Sequence, residues 1–308
     1  MPNNNISKKV DPESIKRVTQ SVIGLPTLPA VVSKMLEIID NRQTSADTLA
    51  RLISSDQALT AKVLKLANSA YYGYQREIST VNMAIVVLGF NTVKEMGLGL
   101  SVIDVFKNPL SGAAGFDVVK FWEHGAACGV ASRMLAKNSG SRFSGEAYVA
   151  GLLHDMGKLI LNQYFGEEFF NVLKEAQTCD LESAEKRLLE VTHGEIGAWL
   201  AEKWNLPAMI CDTVKHHHQP WNAVTDPAFA AIITAADLLC HRIGKGNSGR
   251  GAPPVYDDRL WDIFSKAAMP LDESDLVQLQ SELFAEFDKT ENVVSFIPDD
   301  DTDGQLCR

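Results

Sequence analysis

The stretch LLHDMGKLIL, residues 152–161, sets His154 and Asp155 in an otherwise apolar run of helical character. Lys158 follows one turn after His154, on the same face of such a helix. An unpaired aspartate buried there is costly. A divalent cation removes that cost, because carboxylate oxygen and imidazole nitrogen coordinate the same ions. Gly157 allows the helix backbone to approach a neighbour. The structural alternative is an Asp155–Lys158 ion pair at a helix surface, which leaves the histidine unexplained.

Working outward, all seven histidines lie after residue 123: His124, His154, His193, His216, His217, His218 and His241. Asp237 is the only charge in AFAAIITAADLLC, where a carboxylate needs a strong partner to stay ionised. A metal supplies that partner, as would an N-cap position or a buried arginine. His193 falls on the stripe of Leu189, Ile196, Leu200 and Trp204, with Gly194 and Gly197 permitting close packing. Only two of the consecutive His216, His217 and His218 can face the same region of a helix, so one is a bystander.

Period-two runs and Asn-Gly or Asp-Gly turns are scarce, whereas apolar residues recur at helical spacing, so the fold class is all-α. Helices are expected through LPAVVSKMLEIID, through ADTLARLISS capped by Thr44 or Ser45, and through QALTAKVLKLANSA capped by Asp56. After a break at Tyr71-Tyr72-Gly73, STVNMAIVVLG and NTVKEMGLGLSVIDVF each open on a capping residue. The expected organisation is a flexible N-terminus over 1–11, an N-terminal helical subdomain over 12–110, a second helical body over 111–290 and a disordered acidic tail over 291–308. Pro, Gly and Ser concentrate in KNPLSGAAGFD, residues 107–117, which marks the joint; RIGKGNSGRGAPP, residues 242–254, reads as a loop.

The 308 residues are 45% hydrophobic and 22% charged, ordinary values for a globular chain with a substantial core. A formal charge of −10 without any Lys/Arg block weighs against nucleic acid and anionic lipid as partners. The five cysteines are scattered with no CxxC pair, the usage of a reducing compartment. MPNNNISKKVDPESIKR lacks the apolar core of a signal peptide, and no run of 18 apolar residues occurs, so the expectation is cytoplasmic residence with no membrane span.

The arrangement His124, His154-Asp155, Asp237 resembles the H…HD…D ligand set of the HD superfamily of metal-dependent phosphohydrolases. Upstream, LPTLPAVVSKMLEII, SSDQALTAKVLKLANSAYYG and AIVVLGFNTVKEMGLGL resemble the N-terminal part of the HDOD family, the HD-related output domain. The resemblance implies a helical subdomain packed on an HD-type bundle. HD-GYP relatives, which hydrolyse cyclic di-GMP, hold a second metal with an added histidine and a His-His pair, and His193 with His217 and His218 is similar to that set. This chain reads HHHQPWNAV and lacks the GYP loop, and Lys120 stands where a glutamate accompanies a third metal in some relatives. The resemblance thus implies one or two divalent transition-metal ions, of the Fe, Mn, Zn or Ni kind, with Asp155 bridging.

Two functions follow as expectations. One is a regulatory HDOD protein in signal transduction, with a retained metal site and a signalling protein or a nucleotide as partner. The other is an active phosphohydrolase, on a cyclic dinucleotide or another phosphodiester, in which Lys158 contacts the phosphate and stabilises developing charge.

Overall fold

The computed structural model describes residues 30–37, 44–68, 76–106, 113–245, 257–269 and 271–294. The first helices are α1 (Ala30–Glu37), α2 (Ala46–Ser54), α3 (Gln57–Ala67), α4 (Val81–Leu88) and α5 (Phe90–Val105). Their starts are chemically marked: Ser45, Asp56 and Thr80 each accept a backbone N–H three residues on, at 3.1, 3.0 and 3.1 Å. The last start differs from expectation. α5 begins at Phe90, directly after Gly89, which adopts φ 93 and offers no side-chain cap, so Asn91 lies inside the helix. α5 is the hub of this layer: Val93 to Ile103 are buried throughout, and α1, α3 and α4 pack on it. The expected Tyr71-Tyr72-Gly73 break lies outside the described residues.

The helices that follow are α6 (Val118–Asn138), α7 (Ser144–Leu153), α8 (Met156–Tyr164), α9 (Gly166–Glu175), α10 (Leu181–Leu189), α11 (His193–Lys203) and α12 (Ala208–His216). A short 3₁₀ turn at Pro220–Asn222 leads to α13 (Pro227–Arg242), α14 (Asp258–Lys266) and α15 (Glu273–Val294). α6 runs through the centre and packs against α7, α13 and α15. Its contact with α7 depends on missing side chains, since a Cβ at Gly151 would stand 2.5 Å from the Cys128 carbonyl oxygen. The described residues contain no strand, and the protein is all-α. Among the described residues, no helix is long and apolar enough to cross a membrane.

Residues 107–112, where the joint between bodies was expected to begin, lie outside the described residues, as do 1–29, 246–256 and the tail from 295. α15 continues to Val294, past the expected helical end at residue 290. The buried apolar residues form one continuous cluster from Val31 to Leu283. Within it the Phe106 ring lies 6.1 Å from Trp122 and 6.0 Å from Trp204, and Glu95 of α5 pairs with Arg133 of α6.

Two local expectations are corrected. LLHDMGKLIL is two helices, not one: α7 ends at Leu153, and Asp155, at φ −97 and ψ 3, is the first flank of α8. His154 and Lys158 therefore do not share a helix face. His193 likewise is not continuous with Leu189. It opens α11 behind Thr192, whose side chain and that of Glu195 close a reciprocal capping box.

Candidate metal centre

His124, His154, Asp155, Lys158, His193, His217, His218 and Asp237, spread over more than a hundred residues of sequence, come together between α6, α7, α8, α11, α12 and α13. His124, His154, His193 and His217 are 0% exposed, Lys158 and Asp237 1%, and Asp155 2%. His216 turns away from the group, 3.7 Å from Asp212. Lys120 is an exposed residue near Asp117.

Backbone hydrogen bonds aim the rings. His154 Nδ1 donates to the Gly151 carbonyl at 2.7 Å and His217 Nδ1 to that of Val214 at 2.7 Å, so each presents Nε2 to the centre. His193 Nδ1 is engaged by the Glu185 carboxylate at 2.8 Å, and Glu185 also accepts the His193 backbone N–H at 3.0 Å. His193 Nε2 then lies 3.3 Å from His217 Nε2 and 3.1 Å from His218 Nε2. His124 Nε2 is 3.0 Å from Asp237 Oδ1.

Asp155 stands between two groups of nitrogens. Its Oδ1 is 3.3 Å from His193 Nε2 and 3.6 Å from His217 Nε2; its Oδ2 is 3.3 Å from His154 Nε2 and 3.9 Å from His124 Nε2. Lys158 Nζ donates to the same Oδ2 at 2.7 Å. His154 Nε2 and Asp155 Oδ1 nevertheless make no hydrogen bond, although both are sealed from water. Buried polar atoms left in that state are expensive. Nitrogen lone pairs and carboxylate oxygens directed at common points are what a divalent cation satisfies, so the residues fit a metal. The donors fall into two groups whose ligand atoms all lie within 4.8 Å of one another: His124, Cys128, His154 and Asp237 in one, Asp155, His193, His217 and His218 in the other.

Burial pushes His124 and His217 down to about 4, leaving both neutral and ready to coordinate. Burial acts the same way on His193, but the Glu185 carboxylate overrides it and raises the ring to about 9. For His154 too the neighbouring Asp155 outweighs burial, and its proton is held more tightly than usual. Burial would raise Asp155, yet His154 and Lys158 hold its carboxyl well below the usual carboxylate range. Burial, with Cys240 beside it, raises the Cys128 thiol well above its ordinary value.

Three members were not expected from sequence. Cys128 and His241 each follow a candidate ligand by one helical turn, a spacing that places His124 with Cys128 and Asp237 with His241 on shared faces. His241 Nε2 lies 3.2 Å from Asp237 Oδ1. Glu185, 0% exposed, has no such signal, because its contact with His193 is made across the turn between α10 and α11.

The HDOD domain family matches residues 25–220, most of the chain, and includes every member of the site up to His218. The chain belongs to the HDOD family. Asp237 and His241 lie beyond the matched span of this HDOD protein. An uncharacterized protein of Treponema pallidum (strain Nichols) is 27% identical over 226 residues, which are 69% of this chain and 43% of that protein. The chain thus spans less than half the length of that curated relative. Among solved structures, an HDOD protein of unknown function from Geobacter sulfurreducens is 28% identical with a TM-score of 0.76, covering 92% of this chain and 99% of that one. A Marinobacter aquaeolei protein provisionally named for signal transduction shares the fold at 24% identity and TM-score 0.74, covering 94% and 68%. A Shewanella amazonensis protein provisionally named a phosphohydrolase shares it at 23% identity and TM-score 0.67, covering 92% and 98%.

Proposed function

We propose that this HDOD protein is a signal-transduction module built around a centre for two divalent transition-metal ions. The observation that carries the reading is Asp155, whose two oxygens face two separate nitrogen groups, one with each. His124, His154 and Asp237 hold the first ion, and His193, His217 and His218 the second, with Asp155 joining them. All ligands belong to the body over 111–290, and the described residues of the subdomain over 12–110 contribute none. The ions are of the Fe, Mn, Zn or Ni kind, for which mixed histidine and carboxylate ligation is suited. A signalling protein or a nucleotide is the partner class.

Regulation is favoured over turnover by the burial of the ligands and by Lys158, whose ammonium is committed to Asp155 and does not stand free for a substrate. A second reading, a metal-dependent phosphohydrolase, is supported by the full ligand set itself. Bound cations supply Lewis-acid chemistry toward phosphate groups. His218 and His241, the cluster members whose side chains are 9% exposed, mark the side from which a phosphate would approach.

Elemental analysis of protein purified without a His-tag, followed by hydrolysis assays on cyclic dinucleotides and simple phosphodiesters, tests both. Two ions without turnover is the expected result. Metal-dependent turnover would move the protein to the second reading, and Lys158→Met should then lower the rate by about 10²-fold. Protein that takes up no ion refutes the metal centre altogether.

A further inference from the structure

The first donor group contains a sulfur. Cys128 lies one helical turn beyond His124 on α6, 0% exposed, with its Sγ 3.4 Å from His124 Nε2. The spacing puts both side chains on the same helix face. His124 Nε2 is 3.0 Å from Asp237 Oδ1, which is 3.8 Å from His154 Nε2. Donors at tetrahedral corners around one ion, with bonds of about 2.0–2.3 Å, stand about 3.3–3.7 Å apart. These separations bracket that spacing, and Asp155 Oδ2, 3.3 Å from His154 Nε2, faces the same group. The buried His154 Nε2, which makes no hydrogen bond, is aimed into the same group. A hydrogen bond between the Cys128 thiol and His124 would account for one of these separations and leave His154 Nε2 unsatisfied.

We propose that Cys128 is a ligand of the first metal ion, adding a sulfur to His124, His154, Asp237 and the bridging Asp155 and fitting that position to a thiophilic cation of the zinc or ferrous class. The inference rests on the two-ion reading for the location of the site and adds what kind of ion fills it. The second group, Asp155 with His193, His217 and His218, offers only nitrogen and oxygen. The two positions therefore differ in softness, and thiolate ligation selects against manganese and magnesium at the first alone. Cys240, which also lies beside Cys128, is not among the converging donors.

Cobalt(II) loaded into the metal-free full-length protein provides the test, because a cobalt–thiolate bond gives intense near-ultraviolet charge-transfer absorption and nitrogen or oxygen ligands do not. The wild-type protein should show that band, Cys128→Ser should lose it, and Cys240→Ser should keep it. In competition titrations Cys128→Ser should weaken zinc at one position by about tenfold or more, a change at least as large as that from losing an outer hydrogen-bond partner. Manganese binding at the other position should be unchanged. Cobalt bound without the band overturns the sulfur ligand and leaves the two-ion centre standing, as does a band that survives Cys128→Ser. Failure to bind cobalt at all overturns both. If the serine variant folds poorly, absence of the band in the wild-type protein still overturns the proposal, as does its loss in Cys240→Ser.

Discussion

The first donor group, His124, Cys128, His154 and Asp237, draws three of its members from the interiors of α6 and α13, whereas the second sits at helix ends. Asp155 flanks the start of α8, His193 is the first residue of α11, and His217 is the C-cap of α12. Interior positions are held by helical hydrogen bonds on both sides. End positions depend on caps, on carbonyl contacts and on how closely helices approach. The first group is therefore rigid by construction, and the second is assembled by contacts that single substitutions can remove.

The largest effect should come from the residue shared by both groups. Asp155→Asn removes the carboxylate facing each set and leaves Lys158 as an uncompensated buried charge. Loss of both ions and a fall in stability of about 3–5 kcal/mol in urea denaturation are expected. Retention of one ion at full affinity would show that the groups are independent of this aspartate.

Gly157→Ala separates the groups by geometry. A Cβ there would stand 1.9 Å from the His193 carbonyl oxygen and 2.9 Å from the Gly197 nitrogen, so α8 and α11 must part. The expected outcome is loss of the second ion with the first retained, and a destabilisation of about 1–3 kcal/mol. Equal loss at both positions, measured by elemental analysis, would break the contrast drawn between them.

Glu185→Gln should weaken the second position about 10–100-fold in calorimetric titration and spare the first. Its pH profile sharpens the point. His193 is raised to about 9, so below that pH it carries a proton that an incoming cation must displace. Affinity at the second position should climb as pH rises toward 9 and level off above it, with proton release on binding. In Glu185→Gln the ring loses the carboxylate that holds its proton, and the climb should shift to lower pH. An unshifted profile would sink the assignment of this proton to His193.

The smallest effect is expected from Thr234→Val. The Thr234 hydroxyl donates to the His217 carbonyl at 2.5 Å, a contact available only to the second group. Loss of about 0.5–1.5 kcal/mol on thermal denaturation is expected, with zinc affinity at the first position unaltered.

Helix positions were legible wherever a cap and an apolar stripe coincide, as at Ser45, Asp56 and Thr80, because both signals are local. The break inside LLHDMGKLIL was not. Every residue in it tolerates a helix, and the interruption at His154 and Asp155 appears only once their side chains turn toward partners on other helices. The same holds at His193, where the Thr192–Glu195 capping box was present in the sequence but was hidden by an apolar stripe that runs on across the turn.

By itself the sequence determined the all-α class and the confinement of the histidines to residues 124–241, since periodicity and residue type are local properties, while the eight residues that converge were singled out by resemblance to HD-type ligand sets. Only the tertiary structure decided how those residues divide. That Asp155 shows one oxygen to each group, that Lys158 pairs with it, and that Cys128, Glu185 and His241 join the cluster are distances between helices that no spacing along one chain encodes. Glycines at 151 and 157 set those distances by letting backbones touch, and the cost of a buried unpaired charge does the rest.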